Sequence, residues 1–268
     1  MRNIIRHLLL DLLSLSYFFK KYKNKGFVQF VYFHDILPTE LARFEKLILE
    51  FKSNFELVSH SKACELLNNI SLEKNYLAIS FDDGFKNNLE VGRILSKHQI
   101  SACFFVCPGY IETLTDQDRK QVLRSVFEEE QDKEFMTWKD LNELKALGHE
   151  IGTHTMTHIK LSSCSLGQIE EELTSSIKKL EEQGFKVVHF AFPYGRKIDY
   201  NFKADQLIRS FEFESISNAE RGIHLNTPNP FIFRDHVLIS WPFRHIHYFL
   251  KRNQYASTLQ NIQWLKEK

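Results

Sequence analysis

Tyr76-Leu77-Ala78-Ile79-Ser80-Phe81-Asp82-Asp83-Gly84 is the stretch on which the reading of this chain turns. Its first part is an apolar and aromatic run with a small-residue ending, the composition of a strand buried in a sheet. Two carboxylates follow at the strand's C-terminal tip. Neighbouring strand residues point to opposite faces, but at a strand end a glycine lets the backbone turn sharply, so Asp82 and Asp83 can be aimed into one pocket. One can ligate a metal while the other accepts a proton.

A second stretch, Gly148-His149-Glu150-Ile151-Gly152-Thr153-His154, leads to His158 four residues on. That spacing predicts two imidazoles on one face of a helical turn. Catalytic zinc takes three protein ligands at about 2.0–2.2 Å and keeps a position open for water. Asp83, His154 and His158 fit that count. Each piece alone is weak: paired aspartates also cap helices and form turns, and among 12 histidines some pair at this spacing arises by chance. A third stretch, Val187-Val188-His189-Phe190-Ala191-Phe192, reads as another strand, with Pro193-Tyr194-Gly195 turning out of it as a loop over a site would.

Between these stretches the pattern alternates strand and helix. Thr137 is placed to cap a helix carrying Leu141, Leu144 and Leu147, with Gly148 as its stop. Ser165 and Gln168 form a capping-box pattern before Ile169, Leu173, Ile177 and Leu180, with Gly184 ending that helix. Such alternation implies an α/β fold with a largely parallel sheet, whose catalytic residues belong at the C-terminal ends of the strands. Residues 108–135 break the pattern with Glu112, Asp116, Asp118, Glu128, Glu129, Glu130 and Asp132. They read as a solvated helix or loop, with a lid over the site as the alternative.

The three motifs, Phe81-Asp82-Asp83-Gly84, His154-Thr155-Met156-Thr157-His158 and Phe192-Pro193-Tyr194-Gly195, resemble those of the NodB-type polysaccharide deacetylases, carbohydrate esterase family four, and stand in that family's order. The resemblance covers roughly residues 27–240. It implies a distorted (β/α) barrel of the polysaccharide deacetylase type that removes N-acetyl groups from a sugar of a polysaccharide or glycan precursor. It also implies a divalent metal, commonly Zn²⁺, with Co²⁺, Ni²⁺ or Mn²⁺ as alternatives. Carried over residue by residue, Asp82 is the base, Asp83 with His154 and His158 holds the metal, and the Tyr194 backbone N–H binds the oxyanion.

Two departures from the family pattern stand out. Many members carry an arginine where Ala191 stands, and that arginine pairs with the catalytic carboxylate; a subset has an Ala-aromatic-Pro-Tyr-Gly version instead, as here. Arg234, in Phe231-Ile232-Phe233-Arg234, is a candidate for the missing cation, against the plain reading of a surface arginine closing a strand. The family's histidine acid has no clear counterpart: His236, His245 and His247 lie in the right part of the chain without the expected Leu-x-His setting. His34, in Val31-Tyr32-Phe33-His34-Asp35, resembles a Tyr-His segment near the start of related deacetylases and is expected at the mouth of the site, either transferring a proton or supporting its neighbours. The same site would also suit an O-acetyl esterase or a sugar deformylase, and loss of the acid would leave a catalytically degenerate glycan-binding domain.

Composition sets the remaining bounds. A chain of 268 residues with 43% hydrophobic content can bury a core of one α/β barrel. With 35 Lys+Arg against 34 Asp+Glu there is no field to suggest nucleic acid, so the expected partner is an acetylated glycan or sugar precursor. Cys64, Cys103, Cys107 and Cys164 lack the paired spacing of a zinc ribbon, and Cys103 and Cys107, on what reads as a strand, are expected as buried thiols and not ligands. Residues 1–25 combine Leu8, Leu9, Leu10, Leu12, Leu13 and Leu15 with Arg2, Arg6 and a basic cluster at 20–25. Arg6, His7 and Asp11 interrupt them too early for a transmembrane helix, and no small-x-small cleavage site follows. The expectation is an amphipathic, basic segment over 1–25 packed on the barrel or on an anionic membrane, a catalytic domain over 26–268, and a cytoplasmic location, with a place peripheral to the membrane as the alternative.

Overall fold

The computed structural model describes residues 10–15, 26–68, 72–225 and 231–252. The strands β1 (Phe27–Phe33), β3 (Asn75–Phe81), β4 (Ala102–Val106), β5 (Glu150–Thr153), β6 (His189–Ala191) and β7 (Ser215–Ser217) pair in parallel in that order. Short β2 (Glu56–Leu57) pairs in parallel with β3, and β8 (Ile223–His224) pairs antiparallel with β1. The last strand is broken in two. Its first half, β9 (Phe231–Ile232), pairs with β7, and its second half, β10 (Asp235–His236), pairs with β1. Only Phe233 and Arg234 separate the halves, so this segment bridges the two edges of the sheet and nearly closes it into a barrel surrounded by helices.

Strand alternation decides which side chains face the helices and which face the barrel interior. Phe33, Phe81 and Phe104 are register partners on β1, β3 and β4, and their rings stack at 5.4 and 5.0 Å between centroids. They join the helix residues Phe44, Leu47, Leu89, Leu141 and Leu144 in the main hydrophobic core. Because Phe81 faces outward, Ser80 and Asp82 on either side of it face inward. All seven residues of β1 are buried, as expected for a parallel strand covered on both faces. The one polar residue among them, Gln29, donates from Nε2 to Asp235 Oδ2 at 2.8 Å.

The helix Trp138–Ala146 begins with a capping box: Thr137 Oγ1 accepts from Asp140 N, and Asp140 Oδ2 accepts from Thr137 N. Gly148 follows at φ +88 and hands the chain to β5. The helix Leu166–Glu182 starts with the same device at Ser165 and Gln168. The strand expected over 187–192 is shorter in the structure, with only His189–Ala191 in the ladder. β5 ends at Thr153, leaving β6 a single register partner on that side, and before His189 only the Val188 carbonyl reaches β7's approach, accepting from Glu214 N.

Of the N-terminal segment, residues 10–15 are described, as a short helical stretch. Asp11 anchors it, accepting from Arg244 Nη2 at 2.6 Å and lying 2.6 Å from His245 Nε2. The rest of the amphipathic segment expected over 1–25 lies outside the described residues. Among the described residues no helix is long and apolar enough to cross a membrane.

Candidate active site and metal centre

The β3 ladder runs one step past the strand, with Asp82 N donating to Phe33 O at 3.0 Å. Asp83 and Gly84 then both take positive φ, +73 and +80. Two successive left-handed residues reverse the chain so tightly that both carboxylates end up buried in the same region, Asp82 at 2% and Asp83 at 5% exposure. A side chain on Gly84 would meet Val106 at 3.2 Å as well as an unfavourable φ.

His154 continues the β5 ladder, its N–H donating to Val106 O at 2.9 Å. The helical turn expected between His154 and His158 is absent: Thr155 has φ +66 and His158 φ +56, so a tight irregular turn brings the two rings to 5.0 Å between centroids. The turn is held from outside. Glu172, on the helix Leu166–Glu182, accepts from Thr157 N at 2.8 Å and from Thr157 Oγ1 at 2.6 Å, while Tyr110 Oη donates to Thr157 O. Nothing in the spacing of the motif pointed to Glu172; its position on the buried side of the amphipathic helix was the available signal.

Asp83, His154 and His158 each present one ligand atom within 4.8 Å of the others. His154 Nε2 lies 3.6 Å and His158 Nε2 3.4 Å from Asp83 Oδ1. His154 Nδ1 lies 2.8 Å from Ala191 O, a bond in which only the ring can donate, so its Nε2 lone pair faces the cluster. Asp83 Oδ1 is buried with no hydrogen-bond partner among the described residues. Burial, the largest influence, pushes the Asp83 carboxyl up and both imidazoles down. Neutral imidazoles beside an orphaned buried carboxylate oxygen are a donor set that fits a divalent cation.

Asp82 has a different environment. Arg234 Nη1 and Nη2 donate to its two carboxylate oxygens at 2.7 and 2.8 Å, in the fork geometry that only a guanidinium provides. Arg234 is itself 1% exposed, donating also to Ser80 Oγ and Asn218 O and lying 4.4 Å from the Tyr32 ring centroid. Burial alone would push the Asp82 carboxyl up; the Arg234 charge overcomes it and holds the group below its ordinary range. Ala191 and Arg234 both border the Phe105 ring in the barrel interior, so a small side chain at 191 leaves that space to the arginine from the closing strand.

The third motif makes another left-handed pair, Tyr194 at φ +60 and Gly195 at φ +70. Among the described residues no acceptor takes the Tyr194 N–H, which is left free to donate. The Tyr194 ring packs against His158 at 4.8 Å, and its Oη donates to Val126 O. Four of the eight non-glycine residues with positive φ among the described residues are Asp83, Thr155, His158 and Tyr194, so backbone strain concentrates where the three motifs meet.

A cavity of about 440 Å³ lies over the cluster, lined by His34, Asp83, Phe127, Lys133, His158 and Tyr194 among others. The acidic 108–135 stretch contributes to this wall: beyond its helix Asp116–Ser125, the Phe127 ring packs at a tilt against His158, 4.8 Å between centroids. His34 Nδ1 pairs with His236 Nε2 at 3.1 Å, and His236 is pushed down to about 3, mainly by burial. His245 and His247 instead face Asp11 and Glu50.

The barrel is nearly closed and mostly parallel, and its carboxylates and imidazoles gather at the C-terminal ends of the strands. The family described as polysaccharide deacetylase matches residues 69–216, and the chain belongs to that family. A chitooligosaccharide deacetylase of Sinorhizobium fredii is 29% identical over 121 residues, 44% of this chain and 46% of the relative. A second, from a Bradyrhizobium species, is 26% identical over 44% of this chain and 45% of its own length. The match thus spans less than half the length of either relative. Among solved structures, IcaB from Ammonifex degensii superposes with TM-score 0.68 at 19% identity, over 85% of this chain and 98% of its own. The Streptococcus pyogenes deacetylase PplD in complex with acetate gives TM-score 0.68 at 18% identity, over 85% and 99%. These two structures share the barrel fold.

Proposed function

We propose that this protein is a metal-dependent hydrolase that removes N-acetyl groups from a sugar of an acetylated glycan or glycan precursor, at the site where Asp82, Asp83, His154 and His158 converge. The observation that carries the reading is the division of labour between adjacent carboxylates: Asp82 is clasped by Arg234, whereas Asp83 has an orphaned oxygen turned toward two imidazoles. Asp83, His154 and His158 would hold the cation. A divalent metal such as Zn²⁺, or Co²⁺, Ni²⁺ or Mn²⁺ in its place, supplies polarisation of the acetyl carbonyl and a more acidic water at neutral pH.

The chain's own residues do the rest. Arg234 uses one lone pair on each Asp82 oxygen, which leaves the carboxylate able to accept the proton of the attacking water while held in position and ionised. The Tyr194 N–H donates to the oxyanion as the carbonyl carbon becomes tetrahedral, a contribution of about 2.7–4 kcal/mol for one such donor. His34, on the cavity wall, delivers the proton to the departing amine nitrogen, with His236 fixing its ring. The cavity has the size of a small-ligand site. Exposed Leu12 and Leu15, followed in the sequence by a basic cluster at 20–25, support peripheral membrane contact, which would bring a membrane-linked glycan to the site.

The test is acetate release from N-acetylated glucosamine oligomers by the metal-stripped and metal-reconstituted protein, alongside O-acetylated and N-formylated counterparts. Acetate from the N-acetylated substrate only after reconstitution is the expected result. Exclusive turnover of the O-acetyl or formyl substrate would reassign the bond cleaved, and no turnover of any by the fully loaded protein would sink the enzymatic reading.

A further inference from the structure

Glu150, His189 and Ser215 are the first residues of β5, β6 and β7, at the end of the barrel opposite the Asp83 cluster. The helix His60–Leu66 lies across this end. Glu150 fixes its first turn, accepting from His60 N at 2.7 Å and Ser61 N at 3.2 Å. His60 is thereby buried to 1% exposure, its ring edge-on to Phe30 and Phe105 and 4.7 Å from the His189 ring. Cys64 stands one helical turn after His60, on the same face.

His60, Cys64 and His189 each place a ligand atom within 4.8 Å of the others. Ser215 Oγ sits between the two imidazoles, 3.0 Å from His60 Nε2 and 2.9 Å from His189 Nδ1, while Ser61 Oγ lies 2.8 Å from His189 Nε2. Among the described residues no partner reaches the buried His60 Nδ1, a condition few buried nitrogens show. A cavity of about 250 Å³, lined by Ser61, His149, Glu150, His189 and Glu214 among others, reaches the cluster from outside. Lys145 and Lys186 line that path together with Glu150 and Glu214, and Lys186 pairs with Glu214 at 3.6 Å, so the path is balanced in charge and the ligand set itself carries the selectivity.

We propose that His60, Cys64 and His189 form a second metal-binding site, for a borderline-soft divalent cation of the zinc class. Two imidazoles and a thiolate are the ligands such cations prefer over hard ones, and the Asp83 cluster offers no sulfur. Binding displaces the Cys64 thiol proton to solvent and moves Ser215 Oγ aside. Zinc–nitrogen and zinc–sulfur bonds of about 2.0–2.3 Å require the ligand atoms to draw together by about an ångström. The bound ion ties the plug helix to β6, so its role is to close the barrel base, independent of the reaction at the opposite end.

Cobalt substitution of the full chain reads this site directly, because a thiolate-to-cobalt charge-transfer band in the near ultraviolet can arise only from a sulfur ligand. Titration of metal-stripped wild type with Co²⁺ is expected to give that band and about two ions per chain. Cys64→Ala and Cys64→Ser should lose the band and one ion, and His154→Ala should keep the band while losing the other. A thermal melt of wild type should rise with Zn²⁺ by more than that of either Cys64 variant. A wild type saturated with Co²⁺ that shows no such band overturns the site, as does a band that survives in both Cys64 variants.

Discussion

The Arg234–Asp82 pair offers the sharpest test of the site. Both partners are almost wholly buried, and the guanidinium donates to both carboxylate oxygens at 2.7 and 2.8 Å. An opposite charge at such range lowers a carboxyl pKa by about one to three units, and each unit corresponds to about 1.36 kcal/mol. The pair therefore holds Asp82 ionised against burial, and removing one member of a buried pair costs roughly 3–5 kcal/mol. With Arg234→Ala, burial acts on Asp82 unopposed and its carboxyl rises. The acidic limb of kcat/KM against pH should then move up by about one to three units, with activity falling most at low pH. Arg234→Lys keeps the charge but not the fork, so its limb should move less. The assay is the pH–rate profile of acetate release at matched metal content, with thermal melts across the same range.

The stability data carry their own sign. A depressed folded pKa means that Asp82 stabilises wild type above its unfolded value of about 3.9 and loses that contribution as pH falls through the folded value. In Arg234→Ala the raised carboxyl reverses this, so the variant's deficit against wild type should shrink as pH falls toward the carboxylate range. Acid limbs in both variants that superimpose on wild type would refute the assignment of Arg234 as the cation that keeps Asp82 ionised.

Removing one of the three proposed ligands should lower metal content in His154→Ala and His158→Ala, measured by elemental analysis; full occupancy in both would mean that the cation lies elsewhere. Asp82→Asn should keep the metal while losing about 10²–10⁴ in rate, the usual worth of a general base; wild-type turnover at matched metal content would transfer that role to another group. Gly195→Ala should reduce both activity and stability, since its Cβ would stand 2.8 Å from Ala219 at φ +70; a variant with unchanged turnover would show that the Tyr194 N–H is not held by this turn. His34→Gln should slow departure of a poor amine leaving group more than that of an activated ester, and equal effects on both would remove it from proton delivery.

Much of the architecture is written in local pattern. The capping boxes at Thr137 and Ser165 and the stops at Gly148 and Gly184 delimit their helices because capping and left-handed glycines depend on a few adjacent residues. The buried run before Asp82 and Asp83 likewise marks β3 and its C-terminal end. Local reasoning about His154 and His158 arrived at convergent rings by the wrong route. The four-residue spacing suits a helix, but the turn is set by Thr155 and His158 at positive φ, held by Glu172 from a helix that follows it in sequence. Spacing constrains which side chains can meet; the long-range contact chooses the backbone path.

What the sequence by itself determined is the inventory and its order along the chain: strands that end in carboxylates, imidazoles and a Pro-Tyr-Gly turn, each encoded within a few residues. Only the tertiary structure decided the partnerships. Arg234 lies 152 residues from Asp82 and reaches it because the last strand breaks between β9 and β10 to close the sheet, while Ala191 leaves space beside Phe105. His34 meets His236 across 202 residues for the same reason, since β10 pairs with β1. Closure of a barrel is a property of all its strands together, and no local pattern carries it.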